Sequence, residues 1–309
     1  MSIAFLFPGQ GAQTPGMGKD LYDKYDEIKE IYENVKSITG VDVAKLTFDS
    51  SEEELSQTKN TQIAILVMSL GILKILEENG IKADMSAGLS LGEYTALIYG
   101  NSFSFEDGVK AVKRRGELMQ EYVPEGKWLM AAILGLDDEK VEEICNSVKS
   151  GFVTPANYNC VGQIVVSGDE KGIAEVEEKA KEAGARKVAI LKTSGPFHTE
   201  KLEEASKHLK EELEKFEIKL PEIKVIKNID AKPYNENENM KEILANHVTH
   251  PVRFAKSIEY MINNGVDTFV EIGPGKTLTG FVKRISRDVK LININNVETL
   301  ETAIAELKK

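Results

Sequence analysis

The chain has 309 residues, 41% of them hydrophobic, with 39 basic against 50 acidic side chains and a formal charge of −11. That length holds a large core and leaves room for a second small domain. The apolar content excludes general disorder, and the charge balance repels phosphate and so argues against nucleic acid as a partner.

Residues 3–7 read as a short apolar strand bounded by Pro8-Gly9, without the basic start or long apolar stretch of a signal peptide. A glycine-rich loop follows, Gly9-Gln10-Gly11-Ala12-Gln13, and an amphipathic helix pattern runs over 19–35. Ser50-Ser51 before three glutamates marks another helix start. The longest apolar run, 63–76, is broken by Ser69, Gly71 and Lys74. It is shorter than the roughly 20 residues that cross a bilayer, so it reads as a buried core helix. Glu77-Glu78-Asn79-Gly80 stops it. A short segment over 83–89 leads into a helix over 91–99, which Gly100 ends. Ser104 caps the next helix, 105–122.

From Lys127 the texture changes. Strands over 128–135, 152–158, 163–167 and 186–192 alternate with helices over 137–149 and 169–183. This is β-α-β-β-α-β, the ferredoxin-like order, and reads as an inserted small domain, 127–193. A helix over 200–216 returns to the large domain, 1–126 and 194–309. Strands near 224–229, 268–272 and 290–294 complete an α/β core with a mainly parallel sheet. Two cysteines, Cys145 and Cys160, make no disulfide framework, and four histidines leave little capacity for a metal site. A reducing cytoplasm is the expected compartment.

Gly88-Leu89-Ser90-Leu91-Gly92 matches G-x-S-x-G and lies between a strand and a helix, the setting that the motif requires. The two glycines let neighbouring backbone approach, so Ser90 stands on a sharp turn at a helix N-terminus, where the dipole favours negative charge. A serine nucleophile needs a base. His208 lies in a charged helix and reads as solvated. His247 and His250 flank Val248-Thr249 before Pro251, and a structural role suits them. His198, in the loop Thr193-Ser194-Gly195-Pro196-Phe197-His198 that leaves the small domain, is the best candidate. Backbone N–H groups of Leu91 and of the Gly9-Gln10-Gly11 loop suit an oxyanion hole, although that loop is equally a tight turn. Arg114 and Arg115 both lie mid-helix, and either could face a cleft.

Taken together, Phe7-Pro8-Gly9-Gln10-Gly11-Ala12-Gln13, Gly88-Leu89-Ser90-Leu91-Gly92-Glu93-Tyr94, Arg115-Gly116-Glu117-Leu118-Met119-Gln120, Gly195-Pro196-Phe197-His198, Pro251-Val252-Arg253 and Gly273-Pro274-Gly275-Lys276-Thr277-Leu278 strongly resemble the malonyl-CoA:acyl carrier protein transacylases. These are related to acyltransferase domains of polyketide and fatty acid synthases. The resemblance implies a hydrolase-like α/β core with a ferredoxin-like insertion. It implies transfer of malonyl from coenzyme A to the phosphopantetheine thiol of acyl carrier protein through a malonyl-serine ester, in support of fatty acid synthesis. In that scheme Ser90 is the nucleophile and His198 the base and acid. Gln10 and Leu91 form the oxyanion hole, and Arg115 holds the malonyl carboxylate. Phe197 and His247 are substrate-side residues, with the His247 carbonyl receiving the His198 N–H. No cofactor is implied beyond the coenzyme A thioester itself, which is substrate. The expected partners are malonyl-CoA and acyl carrier protein, with no nucleic acid or membrane, and a monomer is expected.

Two positions depart from the family. Leu89 stands where histidine is usual, and His247 where glutamine is usual. A serine esterase or thioesterase is the alternative. It accounts for G-x-S-x-G but leaves the Gly9-Gln10-Gly11 loop unexplained. A trans-acting polyketide acyltransferase is a variant of the main reading, and a decayed carrier-docking protein the non-enzymatic one. An acidic carrier should meet a local basic patch, for which Lys113, Arg114, Lys276 and Arg284 are candidates.

Overall fold

The computed structural model describes residues 1–191, 193 and 195–308. Lys192, the expected end of the last small-domain strand, Ser194 in the loop before His198, and Lys309 lie outside the described residues. Nine strands are present among the described residues: β1 (Ile3–Phe7), β2 (Met85–Gly88), β3 (Trp128–Leu134), β4 (Val153–Cys160), β5 (Gln163–Asp169), β6 (Lys187–Leu191), β7 (Lys224–Ile226), β8 (Thr268–Ile272) and β9 (Lys290–Ile294).

Five of them form a parallel sheet in the order β7-β2-β1-β8-β9. Each strand is short, and the central β1, covered on both faces, is fully apolar and buried. Along β1 the side chains alternate between two cores. Ile3, Phe5 and Phe7 join the larger one, with the helix Thr58–Glu78, while Ala4 and Leu6 join the one that holds Phe254, Phe269 and Phe281. The carboxyl ends of β1, β2 and β8 lie side by side, so the loops at Pro8, Ser90 and Gly273 converge on one edge. That edge is where parallel α/β sheets place their ligands.

The other four strands form a wholly antiparallel sheet in the order β4-β5-β3-β6, the arrangement of a ferredoxin-like unit. Its faces also alternate. Ala131, Ile133, Ile164 and Val166 pack on the unit's own helices, Asp138–Ser147 and Glu170–Glu182. Met130, Ala132 and Val165 face the other way, into the main core. Pro155 interrupts β4, which is an edge strand, where a missing N–H is tolerated. Pro251-Val252-Arg253 ties this edge to the large sheet. Tyr158 N–H donates to Val252 O (2.8 Å), Val252 N–H to Ala156 O (2.9 Å), and Arg253 N–H to Asn228 O (2.8 Å).

Several expectations need correcting. The helix expected over 19–35 is two, Lys19–Lys24 and Asp26–Thr39, because Tyr25 is extended (φ −109°, ψ 117°). The break puts Asp26 and Glu27 in the first turn of a new helix, where the dipole favours them. The helix over 200–216 begins as a 3₁₀ turn, Glu200–Leu202, and continues as Glu203–Leu213. The strand from Lys224 stops at Ile226, where the chain turns back through Ala231 N–H to Lys227 O (3.1 Å). The apolar helix is longer than its uninterrupted run. At 21 residues, Thr58–Glu78 is long and apolar enough to cross a membrane by length and composition, but 83% of its most apolar window is buried within the protein.

Candidate active site

Ser90 sits immediately after β2 and before the helix Gly92–Tyr99, with φ +55°. A non-glycine residue in this region costs about 1–3 kcal/mol and needs surrounding structure to hold it. The two glycines make the turn possible. A Cβ on Gly88 would lie 1.8 Å from Gly92 C, and one on Gly92 would lie 2.0 Å from Phe7 O. Asn228 clamps the turn from the next strand over. Its Oδ1 accepts Ser90 N–H (2.7 Å) and its Nδ2 donates to Gly88 O (2.6 Å).

His198 faces Ser90 with Nε2 2.8 Å from Oγ. Its Nδ1 lies 3.0 Å from His247 O and 3.1 Å from His250 O. Carbonyls only accept, so Nδ1 carries the proton and Nε2 is free to accept from the hydroxyl. His198 also has positive φ, +62°; both members of the pair are therefore held in strained backbone. Burial, aided by the nearby Arg115 charge, lowers the His198 pKa to about 4, and the two carbonyls oppose that shift. The imidazole is consequently neutral over the ordinary pH range.

Arg115 resolves the choice between the two mid-helix arginines. Arg114 points outward to Glu117 and Glu212. Arg115 is fully buried, with Nη2 3.0 Å from Ser90 Oγ, Nη1 2.7 Å from Gln62 Oε1, and the guanidinium 5.4 Å from the Tyr94 ring. Its Nε has no hydrogen-bond partner, and among the described residues no carboxylate lies within ion-pair distance of it. A buried cation without a carboxylate in contact is costly, and the Glu93 charge offsets that cost only in part. Burial accordingly lowers its pKa.

A cavity of about 220 Å³ opens over these groups. Gln10, Leu91 and Phe197 line it, as expected, and so does Leu89. The backbone N–H groups of Gln10 and Leu91 have no partner among the described residues. A Cβ on Gly9 would meet Leu89 O at 2.3 Å, so Gly9 permits the Gln10 loop to pass this close to the serine turn. His247 departs from its expected place. Its imidazole does not line the cavity; it is fully buried behind His198, with ring centroids 5.2 Å apart, and Nδ1 lies 3.5 Å from Glu93 Oε2. Only its carbonyl reaches the His198 ring, and it shares that task with His250. His208 is exposed and stacks on Tyr122.

Sequence reasoning passed over Gln62, Asn157, Asn159, Gln163 and Asn228. The first four line the cavity, and Asn159 Oδ1 is buried without a partner. Of the four candidate docking cations, Lys113 and Arg114 are held by Glu117. Lys276 is exposed beside Thr277, which lines the cavity, and Arg284 donates to Gln163 (2.8 Å). Among the described residues no group of three or more His, Cys, Asp or Glu could hold a metal ion.

The acyl transferase domain family matches residues 4–304. The chain is 44% identical to the malonyl CoA-acyl carrier protein transacylase of Bacillus subtilis, over 99% of this chain and 98% of that protein. It is similar to the solved malonyl CoA-acyl carrier protein transacylase of Clostridium perfringens, with a TM-score of 0.95 and 43% identity, covering 100% of this chain and 98% of the other. A malonyl-transacylase solved in complex with its type II polyketide acyl-carrier protein matches with a TM-score of 0.95 and 34% identity, over 99% of this chain and all of that one.

Proposed function

The chain belongs to the acyl transferase domain family, and from that premise we propose that it moves malonyl from coenzyme A to the phosphopantetheine thiol of acyl carrier protein through a malonyl-Ser90 ester. The single observation that carries this reading is the buried guanidinium of Arg115, 3.0 Å from Ser90 Oγ, with a partnerless Nε and no carboxylate within ion-pair distance among the described residues. A site built for an uncharged acyl group has no use for a desolvated cation at the nucleophile. The carboxylate of malonyl supplies the missing counter-ion, two carbons from the thioester carbonyl, and Arg115 receives it in a fork geometry.

In the first half-reaction Ser90 Oγ gives its proton to His198 Nε2 and attacks the thioester carbonyl. The oxyanion forms against the N–H groups of Gln10 and Leu91 at the helix N-terminus. The carbon–sulfur bond then breaks, and His198 returns the proton to the departing thiolate. In the second half-reaction the carrier thiol gives its proton to His198 and attacks the ester; the bond from the acyl carbon to Ser90 Oγ breaks, and His198 returns the proton to Ser90. Burial and the Arg115 charge outweigh the two carbonyls beside Nδ1, and no carboxylate adds to them, so the resting imidazole stays neutral. A bound malonyl carboxylate cancels the Arg115 charge, which is one cause of that low pKa. The cognate substrate thereby raises the proton affinity of its own base.

Phe197 packs against the cavity beside His198 and suits unsubstituted malonyl by limiting space. Residues 127–193 act as an inserted subdomain roofing the cavity, over the large domain of 1–126 and 194–309. One chain supplies every group named, which supports action as a monomer. The two buried free cysteines support a reducing cytoplasm. Coenzyme A enters as substrate, and no step calls for a further cofactor. Fatty acid synthesis is the proposed pathway. The polyketide relative makes a polyketide carrier the second reading, and comparing transfer rates to the two carriers separates them. The test of the main reading is mass spectrometry of the protein with malonyl-CoA. A single malonyl adduct on Ser90 is expected, and Ser90→Ala must abolish it; an adduct that survives Ser90→Ala places the nucleophile elsewhere.

A further inference from the structure

One buried carboxyl is connected to both halves of the Ser90–His198 pair. Glu93 lies in the first turn of the helix that follows Ser90 and is 1% exposed. Its Oε2 accepts the backbone N–H of Asn228 (3.0 Å), and Asn228 is the residue whose side chain holds Ser90 N–H and Gly88 O. The same Oε2 lies 3.5 Å from Nδ1 of His247, whose carbonyl receives His198 Nδ1–H. The other oxygen, Oε1, accepts the Tyr234 hydroxyl (2.5 Å). Glu93 touches neither the cavity nor the reacting atoms.

We infer that Glu93 is a positioning residue: its carboxylate fixes Asn228 and His247, and through them sets the strained turn of Ser90 and the carbonyl that orients His198. The inference rests on the acyl-Ser90 reading above. Strain is the reason such a residue is needed. Ser90 and His198 both have positive φ, and such conformations persist only where the surroundings over-determine them. For Ser90 the constraint is Asn228, 138 residues away in the chain. For His198 it is the segment at His247, which also receives His198 N–H through Val248 O (3.0 Å). Among the described residues Glu93 is the side chain that reaches both.

The carboxylate form does this work, because it accepts from two donors at once. Burial raises the Glu93 pKa to about 7, with the Tyr234 hydroxyl, Asn228 N–H, Arg115 and Lys227 all opposing that rise. Protonation removes the charge that strengthens the bonds from the Asn228 N–H and the Tyr234 hydroxyl. The charged and titratable groups around Glu93 are Arg115 from the helix Phe105–Glu121, Lys227 and Tyr234 from the segment that follows β7, His247 and, beyond it, His198 and His250, and Tyr94 on its own helix. The dyad base itself titrates far lower, at about 4. The two possibilities are therefore well separated in pH.

The experiment measures kcat/KM for malonyl transfer from pH 5 to 9, which reports the free enzyme's essential groups. The inference predicts an acid limb near pH 7. Glu93→Gln should remove that limb and lower the plateau by about tenfold, since one charged acceptor is lost. Tyr234→Phe removes a donor to the carboxylate and should move the limb to higher pH. It keeps the inference testable if Glu93→Gln does not fold. A native profile that is flat from pH 5 to 8 overturns the inference, as does a limb that survives Glu93→Gln or ignores Tyr234→Phe. The malonyl-Ser90 adduct is recorded in parallel. If the adduct forms and the profile is flat, only this inference fails; if no adduct forms, the transacylase reading fails with it.

Discussion

Replacing Arg115 by alanine separates the two jobs that its position gives it. Nη2 donates to Ser90 Oγ and Nη1 to Gln62 Oε1, while Nε has no partner and the charge is left for a substrate carboxylate. The first job is independent of the acyl group, and the second operates only for malonyl. Losing one partner of a buried, hydrogen-bonded charge pair costs about 2–5 kcal/mol, whereas losing one hydrogen bond to a hydroxyl from a charged donor costs about 1.5–3 kcal/mol. Malonyl-CoA acylation of Arg115→Ala should therefore fall by roughly three orders of magnitude or more, at about 1.4 kcal/mol per tenfold. Acetyl-CoA reports the first job alone and should fall by roughly one to two. The assay is single-turnover acylation of Ser90, followed by intact-protein mass with each thioester. The ratio of malonyl to acetyl rates is the decisive quantity, and it should collapse. Equal losses for the two thioesters would show that Arg115 acts only on the serine. An unchanged malonyl rate would remove it from the site altogether.

Gly92→Ala places a Cβ 2.0 Å from the Phe7 carbonyl, so β1 and the turn must separate; about 3 kcal/mol of stability and most acylation should be lost, read by denaturant unfolding and adduct mass. His198→Gly should abolish acylation without changing the melting temperature by more than a few degrees, because glycine relieves the strained φ of +62° as the contact is lost. Reversing charge at the cavity rim, Lys276→Glu with Arg284→Glu, should raise KM for acyl carrier protein several-fold and leave the rate of loading from malonyl-CoA within twofold. The native enzyme should lose transfer rate in high salt to a similar extent. A salt-insensitive native rate, or a variant with unchanged KM, would put docking elsewhere.

Much of the architecture was readable from local pattern. The strands Ile3–Phe7, Thr268–Ile272 and Lys290–Ile294 fall where apolar runs end at glycine or turn residues, and G-x-S-x-G carries its strand–turn–helix setting within five residues. Ser104 caps its helix by accepting Asp107 N–H (3.0 Å), as its position implied. Extended Tyr25 was missed because nothing in the helix period marks a one-residue break, and the short helix Val43–Phe48 because six residues carry too little periodicity. In the site, His198 was reachable through the scarcity of histidine. Arg115 could not be told from Arg114, since adjacent positions on a helix differ only in which face meets the core. The clamp Asn228 and the ligand-side Gln62 left no local signal at all. Their contacts with Ser90 and Arg115 cross 138 and 53 residues of chain; the pairing of β2 with β7 brings the first together, and the packing of helix Thr58–Glu78 on helix Phe105–Glu121 the second. His247 illustrates the reverse case: the resemblance implied its carbonyl as the His198 partner, and the carbonyl is there, but the side chain lies behind His198 and not on the substrate side.

The central claim is that acyl groups pass through Ser90 on their way to a carrier thiol. Intact mass of the protein mixed with malonyl-CoA, followed by addition of acyl carrier protein bearing its phosphopantetheine arm, tests this directly. The account predicts one malonyl group on Ser90 that persists in buffer and disappears as malonyl-carrier forms in equal amount. An adduct lost to water as fast without carrier as with it would contradict the account and make the protein a hydrolase.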